Sequence, residues 1–326
     1  MLTDVHVVIL NLNDRAHLLE CAGRVLEAGV DPARVHVVDN GSTDDSPEAL
    51  KQARPEVNVV LTGRNLGYAG GNNVGIRLAL EKGARYVLLL NSDAFIRPET
   101  VRRLLEAAIS KDRVAAVGGL ILRRSDINTV DGAYGVINYR QFLSRLEGEG
   151  KKKPGAYRRR LEVDYPYGCM ILLSAEAIEE IGLLDVEFFS YHEELEWCHR
   201  AKTAGYRILF EPGAVAMHTL FRGNARQAIF KRYMLARNSI LFLRKHGTLR
   251  KRIRFALFAA VGVPYNIAKW TLTGRGAEAG ACLKGYMDGL KKRGPDPAML
   301  EYVSHGEDPT VGKQSRKAEK GSQPVP

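Results

Sequence analysis

Short apolar runs ending in polar loops recur along the first part of the chain. Val5-His6-Val7-Val8-Ile9-Leu10, Val35-His36-Val37-Val38, Val57-Asn58-Val59-Val60-Leu61 and Tyr86-Val87-Leu88-Leu89-Leu90 are short and mostly apolar. Each reads as a strand buried on both faces. Between them, apolar residues recur at helical spacing. Leu18, Leu19, Ala22, Val25 and Leu26 mark one face of a helix that Asp14 is expected to cap and that stops near Gly29. Ser46-Pro47-Glu48 starts another, with serine as the cap and proline at the first helical position. The loop Gly63–Asn73 precedes a third helix, which closes at Gly83. Strands alternating with helices of this length predict βαβ units and a parallel sheet.

Further on, Pro98-Glu99-Thr100 opens a helix that reaches Ile109, and Val114–Leu122 reads as a strand. Residues 123–160 are polar, basic and glycine-containing, and are expected to form a mobile loop or an insertion on the acceptor side. Tyr165–Ser174 is expected as one strand, with Ser174 capping the helix Ala175–Ile181. An apolar aromatic run then meets Glu193-Glu194-Leu195-Glu196, which opens a helix to Gly205; strands follow at Arg207–Phe210 and Val215–His218. The apolar stretch after Arg250 is shorter than the roughly 20 residues of a spanning helix, and Pro264 is expected to interrupt it. With Arg250, Lys251, Arg252, Arg254 and Lys269 around it, it reads either as a membrane-interfacial helix or as a packed helix with a basic solvent face. Residues 303–326 are polar and proline-bearing, and disorder is expected there.

Composition narrows the classes. An apolar share of 45% with 26% charged residues is that of a globular chain. The net charge of +11 points to phosphorylated substrates, anionic lipid or nucleic acid. Without a helix-turn-helix signature, zinc spacing or RNP-like aromatic motif, no specific nucleic-acid partner is expected. Cys21, Cys169, Cys198 and Cys282 lie far apart without a CxxC pair, as reduced thiols of a cytosolic protein do. Met1–Val5 shows neither a basic n-region nor a long apolar core, so no signal peptide is expected.

In a parallel sheet the carboxyl ends of the strands share one edge, where open α/β sheets place their ligands. Asp39, Asn65 and Asp93 are therefore expected to converge on one crevice. Asp93, in Asn91-Ser92-Asp93, can hold a divalent cation against a diphosphate. Gly70-Gly71 ahead of a helix would let backbone N–H groups approach an anion. The acidic cluster behind its aromatic run is expected at the rim of a site.

Val8-Ile9-Leu10-Asn11-Leu12-Asn13, Val37-Val38-Asp39-Asn40-Gly41-Ser42-Thr43-Asp44, Asn65–Asn73, Leu89-Leu90-Asn91-Ser92-Asp93 and Phe188–Glu196 through Ala204-Gly205-Tyr206 and His218 occur in that order. In these blocks the chain resembles the family-two inverting glycosyltransferases of GT-A fold, rhamnosyltransferase-like branch, over roughly residues 5–245. The resemblance implies an α/β domain with a mostly parallel central sheet and a C-terminal helical extension. Residues 1–245 would be the transferase domain, 246–302 the helical extension, which can contact a membrane surface, and 303–326 a tail. The resemblance implies a dTDP- or UDP-sugar donor, a divalent cation (Mg²⁺ or Mn²⁺) and a glycan or lipid-linked acceptor in cell-surface polysaccharide synthesis. It implies a cytoplasmic protein that can lie on the inner face of the membrane. It assigns Asn11, Asp39, Asn65, Gly71, Asn73, Ser92 and Glu193 to substrate, and Asp93 and His218 to the metal or diphosphate. Glu194 becomes the base for the acceptor hydroxyl. The chain departs from the family where Glu193-Glu194-Leu195-Glu196 replaces Glu-Asp-x-Asp, and at Leu12 and Leu184-Asp185-Val186. Glu193, Glu194 and Glu196 all stay candidates for the base. A non-catalytic sugar-nucleotide or glycan-binding protein on the same scaffold is the rival reading.

Overall fold

A computed structural model describes residues 2–139, 143–152, 154–219 and 225–304. Strands β1 (Val5–Asn11), β2 (Val35–Asp39), β3 (Asn58–Leu61) and β4 (Tyr86–Asn91) alternate with helices α1 (Arg15–Glu27), α2 (Ser46–Ala53) and α3 (Gly67–Glu81). Next come β5 (Ala94–Ile96), α4 (Thr100–Ala108), β6 (Val114–Arg123), β7 (Asp126–Gly132), β8 (Tyr134–Asn138) and β9 (Leu143–Glu147). The short β10 (Leu161–Glu162) and β11 (Tyr165–Pro166) precede β12 (Met170–Ser174), α5 (Ala175–Ile181), α6 (Glu193–Thr203) and the long β13 (Arg207–His218). Helices α7 (Ala225–His246), α8 (Leu249–Leu272), α9 (Gly276–Leu290) and α10 (Pro297–Ser304) close the described chain.

The main sheet runs β10-β13-β6-β12-β4-β1-β2-β3. β3, β2, β1 and β4 pair in parallel, as do β6 and β13, while β12 runs antiparallel between β4 and β6. Strand alternation feeds two cores. Val8, Val38 and Leu89 face a layer that includes Ile76, Leu195 and Trp197; Val7, Val37, Leu88 and Leu90 face Leu18, Val25, Val101 and Leu104. Each such fully buried aliphatic side chain contributes about 1.5–3 kcal/mol, which is why these runs read as continuous apolar stretches.

Several expectations change. The Gly-rich stretch is half helix: α3 starts at Gly67, so Gly70 and Gly71 lie inside it. Asp14 and Ser46 do not cap: neither Asp14 nor the actual N-cap Asp45 makes a side-chain cap bond, and Ser46 is the first residue of α2, donating its hydroxyl to Asp44. The described part of 123–160 is largely strand: β7 pairs with β6, and β8 joins β9 and β11 in a second sheet. Tyr165–Ser174 is two strands broken at Tyr167–Cys169, and Ser174 does cap α5, accepting from Ala177 N. β13 is continuous, with an irregularity between Glu211 and Val215. Pro264 lies within an unbroken α8. Ser304 still belongs to α10; the rest of the expected disordered tail, residues 305–326, falls outside the described residues.

Candidate active site

The carboxyl ends of β1, β2 and β4 do converge. Asn11 donates Nδ2 to Asp39 Oδ1 at 2.9 Å, Ser42 Oγ at 3.2 Å and Ser46 Oγ at 2.8 Å. Asp39 also takes Ser42 N and Oγ, so the two loops are laced into one floor. Asn65 Oδ1 accepts from Gly67 N at 2.8 Å and from Asn40 Nδ2 at 3.2 Å. Ser92 Oγ donates to Asp14 Oδ2 at 3.3 Å, and Asp14 Oδ1 pairs with His17 Nδ1 at 2.7 Å.

Two assignments fail on this geometry. Gly71 offers no N–H to a ligand, because it lies beyond the first turn of α3, where amides bond within the helix. The three N–H groups of Leu66, Gly67 and Ala69 are held by Asn40 Oδ1, Asn65 Oδ1 and Phe189 O. Gly71 serves packing instead: a Cβ there would stand 2.5 Å from Leu10 Cδ1. Asn73 is also consumed, donating to Leu184 O at 2.8 Å and accepting from Leu184 N at 3.1 Å, both buried. It pins the segment before α6 to α3.

Asp93 and His218, far apart in sequence, meet because β5 pairs antiparallel with β13, Ala94 opposite His218, and Thr219 N donates to Asp93 O at 3.0 Å. His218 Nε2 stands 3.3 Å from Asp93 Oδ2, and Nδ1 donates to Asp131 Oδ2 at 2.8 Å. Burial opposes the charged imidazole, but the Asp93 and Asp131 carboxylates outweigh it and raise its pKa to about 10. Asp131 also receives the Tyr167 hydroxyl at 3.2 Å and lies 3.7 Å from Arg123 Nε. Sequence reasoning missed Asp131. It is the extra residue of a bulge on β7, where Ile121 faces Gly132 but the next residue, Leu122, faces Val130. Such a bulge turns a side chain out of register. The β-branched Ile127, Thr129 and Val130 just before it are the one signal of a strand in this stretch of the sequence.

Among the described residues no three His, Cys, Asp or Glu side chains cluster closely enough to form a metal cage by themselves. Asp93 and His218 nonetheless fit a divalent cation, since they bring a hard carboxylate oxygen and an imidazole nitrogen to within 3.3 Å of each other. A carboxylate on the other ring nitrogen is the usual support for a metal-bound histidine, and Asp131 supplies it.

The acidic cluster opens α6. Glu196 drops out as a base: Arg200 Nε donates to both its oxygens, at 2.9 and 3.0 Å, and His246 Nε2 lies 2.9 Å from Oε1. Glu193 and Glu194 each keep a buried Oε2 without a hydrogen-bond partner among the described residues. Burial raises both carboxyls, Glu194 to about 7 and Glu193, next to its neighbour's charge, well above its usual range. Glu194 lies against Gly168, where a Cβ would stand 3.4 Å from Oε1, at ordinary contact distance. The break Tyr167-Gly168-Cys169 thus links the two halves: Tyr167 touches Asp131, Gly168 faces Glu194, and Cys169 O accepts from Asn91 N at 3.1 Å.

A profile of glycosyl transferase family 2 matches residues 6–182. The chain belongs to this family. Among relatives, the low-salt glycan biosynthesis hexosyltransferase Agl10 of Haloferax volcanii is 31% identical over 211 residues, which is 64% of each chain. The N-acetylglucosaminyl-diphospho-decaprenol L-rhamnosyltransferase of Mycobacterium tuberculosis is 29% identical over 283 residues, 78% of this chain and 90% of the relative. The mannosyltransferase PcManGT from Pyrobaculum calidifontis, solved with GDP-Man and Mn²⁺, superimposes with a TM-score of 0.54 at 15% identity, covering 89% of this chain and 87% of that one. This family 2 chain has the GT-A fold, with the C-terminal helices added to it. Glu193, Glu194 and His218 all lie beyond the profile's last matched residue, on α6 and β13.

Proposed function

We propose that the protein is an inverting glycosyltransferase that takes a sugar, rhamnose being the first candidate, from a dTDP- or UDP-linked donor to a glycan or lipid-linked acceptor. The observation that carries this reading is the Tyr167–Cys169 segment, which touches both Asp131, the partner of the cation-compatible Asp93–His218 pair, and Glu194, a carboxyl poised near neutrality. Support comes from the rhamnosyl- and hexosyltransferase names of the relatives and from the Mn²⁺ bound by the structural neighbour.

Asp39 and Asn65 line the nucleoside side, held by Asn11, Ser42 and Asn40, and Ser92, next to Asp93, lies on the substrate side. A divalent cation held by Asp93 and His218 would supply Lewis-acid stabilisation of the charge growing on the departing diphosphate, worth several kcal/mol. Asp131 keeps the His218 ring in the orientation that presents Nε2. Glu194 takes the proton from the acceptor hydroxyl as that oxygen attacks the anomeric carbon. A base with a pKa of about 7 is half ionised at neutral pH and still basic enough to accept the proton. Glu193 faces the acceptor beside it.

Residues 1–245 act as the transferase domain and 246–302 as an extension that meets the membrane surface. Among the described residues no helix is long and apolar enough to cross a membrane. On α8, Leu249, Ile253, Leu257 and Val261 recur every four residues at 73%, 51%, 68% and 75% exposure. Arg250 and Arg254 flank them, exposed, an arrangement suited to an anionic interface.

The test is thermal stabilisation of the purified chain by a panel of dTDP- and UDP-sugars, with and without Mn²⁺ or Mg²⁺. One donor class should raise the melting temperature only with metal, and Asp93→Ala should abolish that rise while melting normally alone. No stabilisation by any donor would refute the reading, and stabilisation without donor turnover would leave the sugar-nucleotide-binding rival.

A further inference from the structure

The segment that delivers α6 is held in an unfavourable shape. Phe189 (φ 59°, ψ −64°), Tyr191 (φ 66°) and His192 (φ 71°) are all non-glycine residues with positive φ. Ser190 N donates to Phe188 O at 2.6 Å, which closes a γ-turn of the rare positive-φ form at Phe189. Strain of this kind persists only where surrounding structure over-determines it.

That structure is α7. Asn238, fully buried, points its amide nitrogen at Phe188 O (2.8 Å), Ser190 O (2.9 Å) and Tyr191 O (2.6 Å). Two hydrogens serve three acceptors, so one is shared. Arg237 Nη1 donates to Asn238 Oδ1 at 2.7 Å and to Glu187 O at 2.9 Å, fixing which way the amide faces. Phe189 O is taken by Ala69 N at 3.0 Å, and His192 O by Glu196 N at 2.9 Å. Every carbonyl from Glu187 to His192 is thereby accounted for, three of them by one side chain. Phe189 and Tyr191 also pack on Phe230, Tyr233 and Met234 of the same helix.

We infer that Asn238, oriented by Arg237, is a positioning residue for the α6 carboxylates: it holds the strained turn that sets where Glu194 points. Helix α7 is thus part of the active site's construction even though no α7 side chain has been assigned to substrate. The inference rests on Glu194 being the base. Asn238→Asp keeps the shape but replaces a donor with oxygens that repel the three carbonyls; Asn238→Ala removes the donor without repulsion. A displacement of about 1 Å at a reacting group costs about 100-fold in rate.

The test compares full-length wild type, both variants and Glu194→Gln. Calorimetry with UDP and dTDP plus Mn²⁺ reads donor-side binding. Nucleoside diphosphate release from dTDP-L-rhamnose and UDP-glucose, followed across pH, reads turnover. In Asn238→Asp, nucleotide affinity should stay within about twofold while kcat falls at least about 30-fold and the midpoint of the pH–rate curve moves; Asn238→Ala should fall between it and wild type. If the aspartate variant does not fold, Asn238→Ala decides by the same split between kcat and affinity. Unchanged kcat and midpoint in folded variants, a kcat loss matched by lost nucleotide affinity, or failure of both variants to fold would each overturn the inference. A fully active Glu194→Gln would instead remove the base assignment beneath it, an outcome separable from inactive Glu194→Gln with active Asn238 variants.

Discussion

Replacing Glu194 by glutamine should raise stability and lower activity together, and the size of the first effect follows from the site. Burial lifts this carboxyl from 4.5 to about 7. Between those values the folded chain holds the proton more tightly than the unfolded chain, so stability falls as pH rises through the window and the penalty is complete above it. At 1.36 kcal/mol per unit, the ceiling is about 3 kcal/mol. Glu194 is only partly exposed but does reach solvent, and screening there reduces the expected figure to about 1–2 kcal/mol. Glutamine cannot ionise and also relieves Glu193 of a like charge. Urea denaturation at pH 4 to 8.5 should therefore show the variant equal to wild type at the acid end and about 1–2 kcal/mol more stable at pH 8. Wild-type turnover should rise through pH 7 as Glu194 ionises, and the variant should lose about 100-fold or more in kcat. Parallel stability curves for the two proteins across the whole range would refute the buried-carboxyl argument, whatever happened to activity.

Asp131→Asn keeps a side chain of similar size but weakens its hold on His218; Mn²⁺ affinity in the presence of UDP or dTDP, read by electron paramagnetic resonance, should drop about 10–100-fold. Unchanged affinity would separate Asp131 from the metal side. Asn73→Ala strips partners from both backbone groups of buried Leu184 and should cost about 2–5 kcal/mol in urea unfolding. Nucleotide affinity of the folded variant should not change; a selective loss of affinity would restore Asn73 as a substrate ligand. Leu257→Glu with Val261→Glu should reduce sedimentation with phosphatidylglycerol vesicles, and equal binding by variant and wild type would leave α8 a solvent-facing helix.

The half of the site on the parallel strands was legible because it obeys local rules. Asn11, Asp39 and Asp93 close apolar runs whose direction a parallel sheet dictates, so their place on one edge of that sheet follows from the pattern alone. Gly71 and Asn73 read as loop residues because glycine and asparagine dominate turns, whereas close packing of α3 on β1 and bonds to Leu184 account for them. Three glutamates in four positions look alike in sequence. Only Arg200 on the next turn and His246 from α7 remove Glu196 from the set. Asp131 lay hidden in a polar stretch where a bulge breaks the alternation that marks strands. Asn238 could not have been found from patterning at all, since its role is to satisfy carbonyls of a turn some fifty positions earlier.

The claim that this crevice transfers a sugar with inversion is tested most directly by the anomer it releases. With Mn²⁺ and a donor selected by the stabilisation panel, and no acceptor, water should replace the acceptor slowly. Proton NMR at early times would then show nucleoside diphosphate with free sugar whose first-formed anomer is opposite to that of the donor. A first-formed anomer that matches the donor, or no metal-dependent release from any donor that binds, would contradict the account.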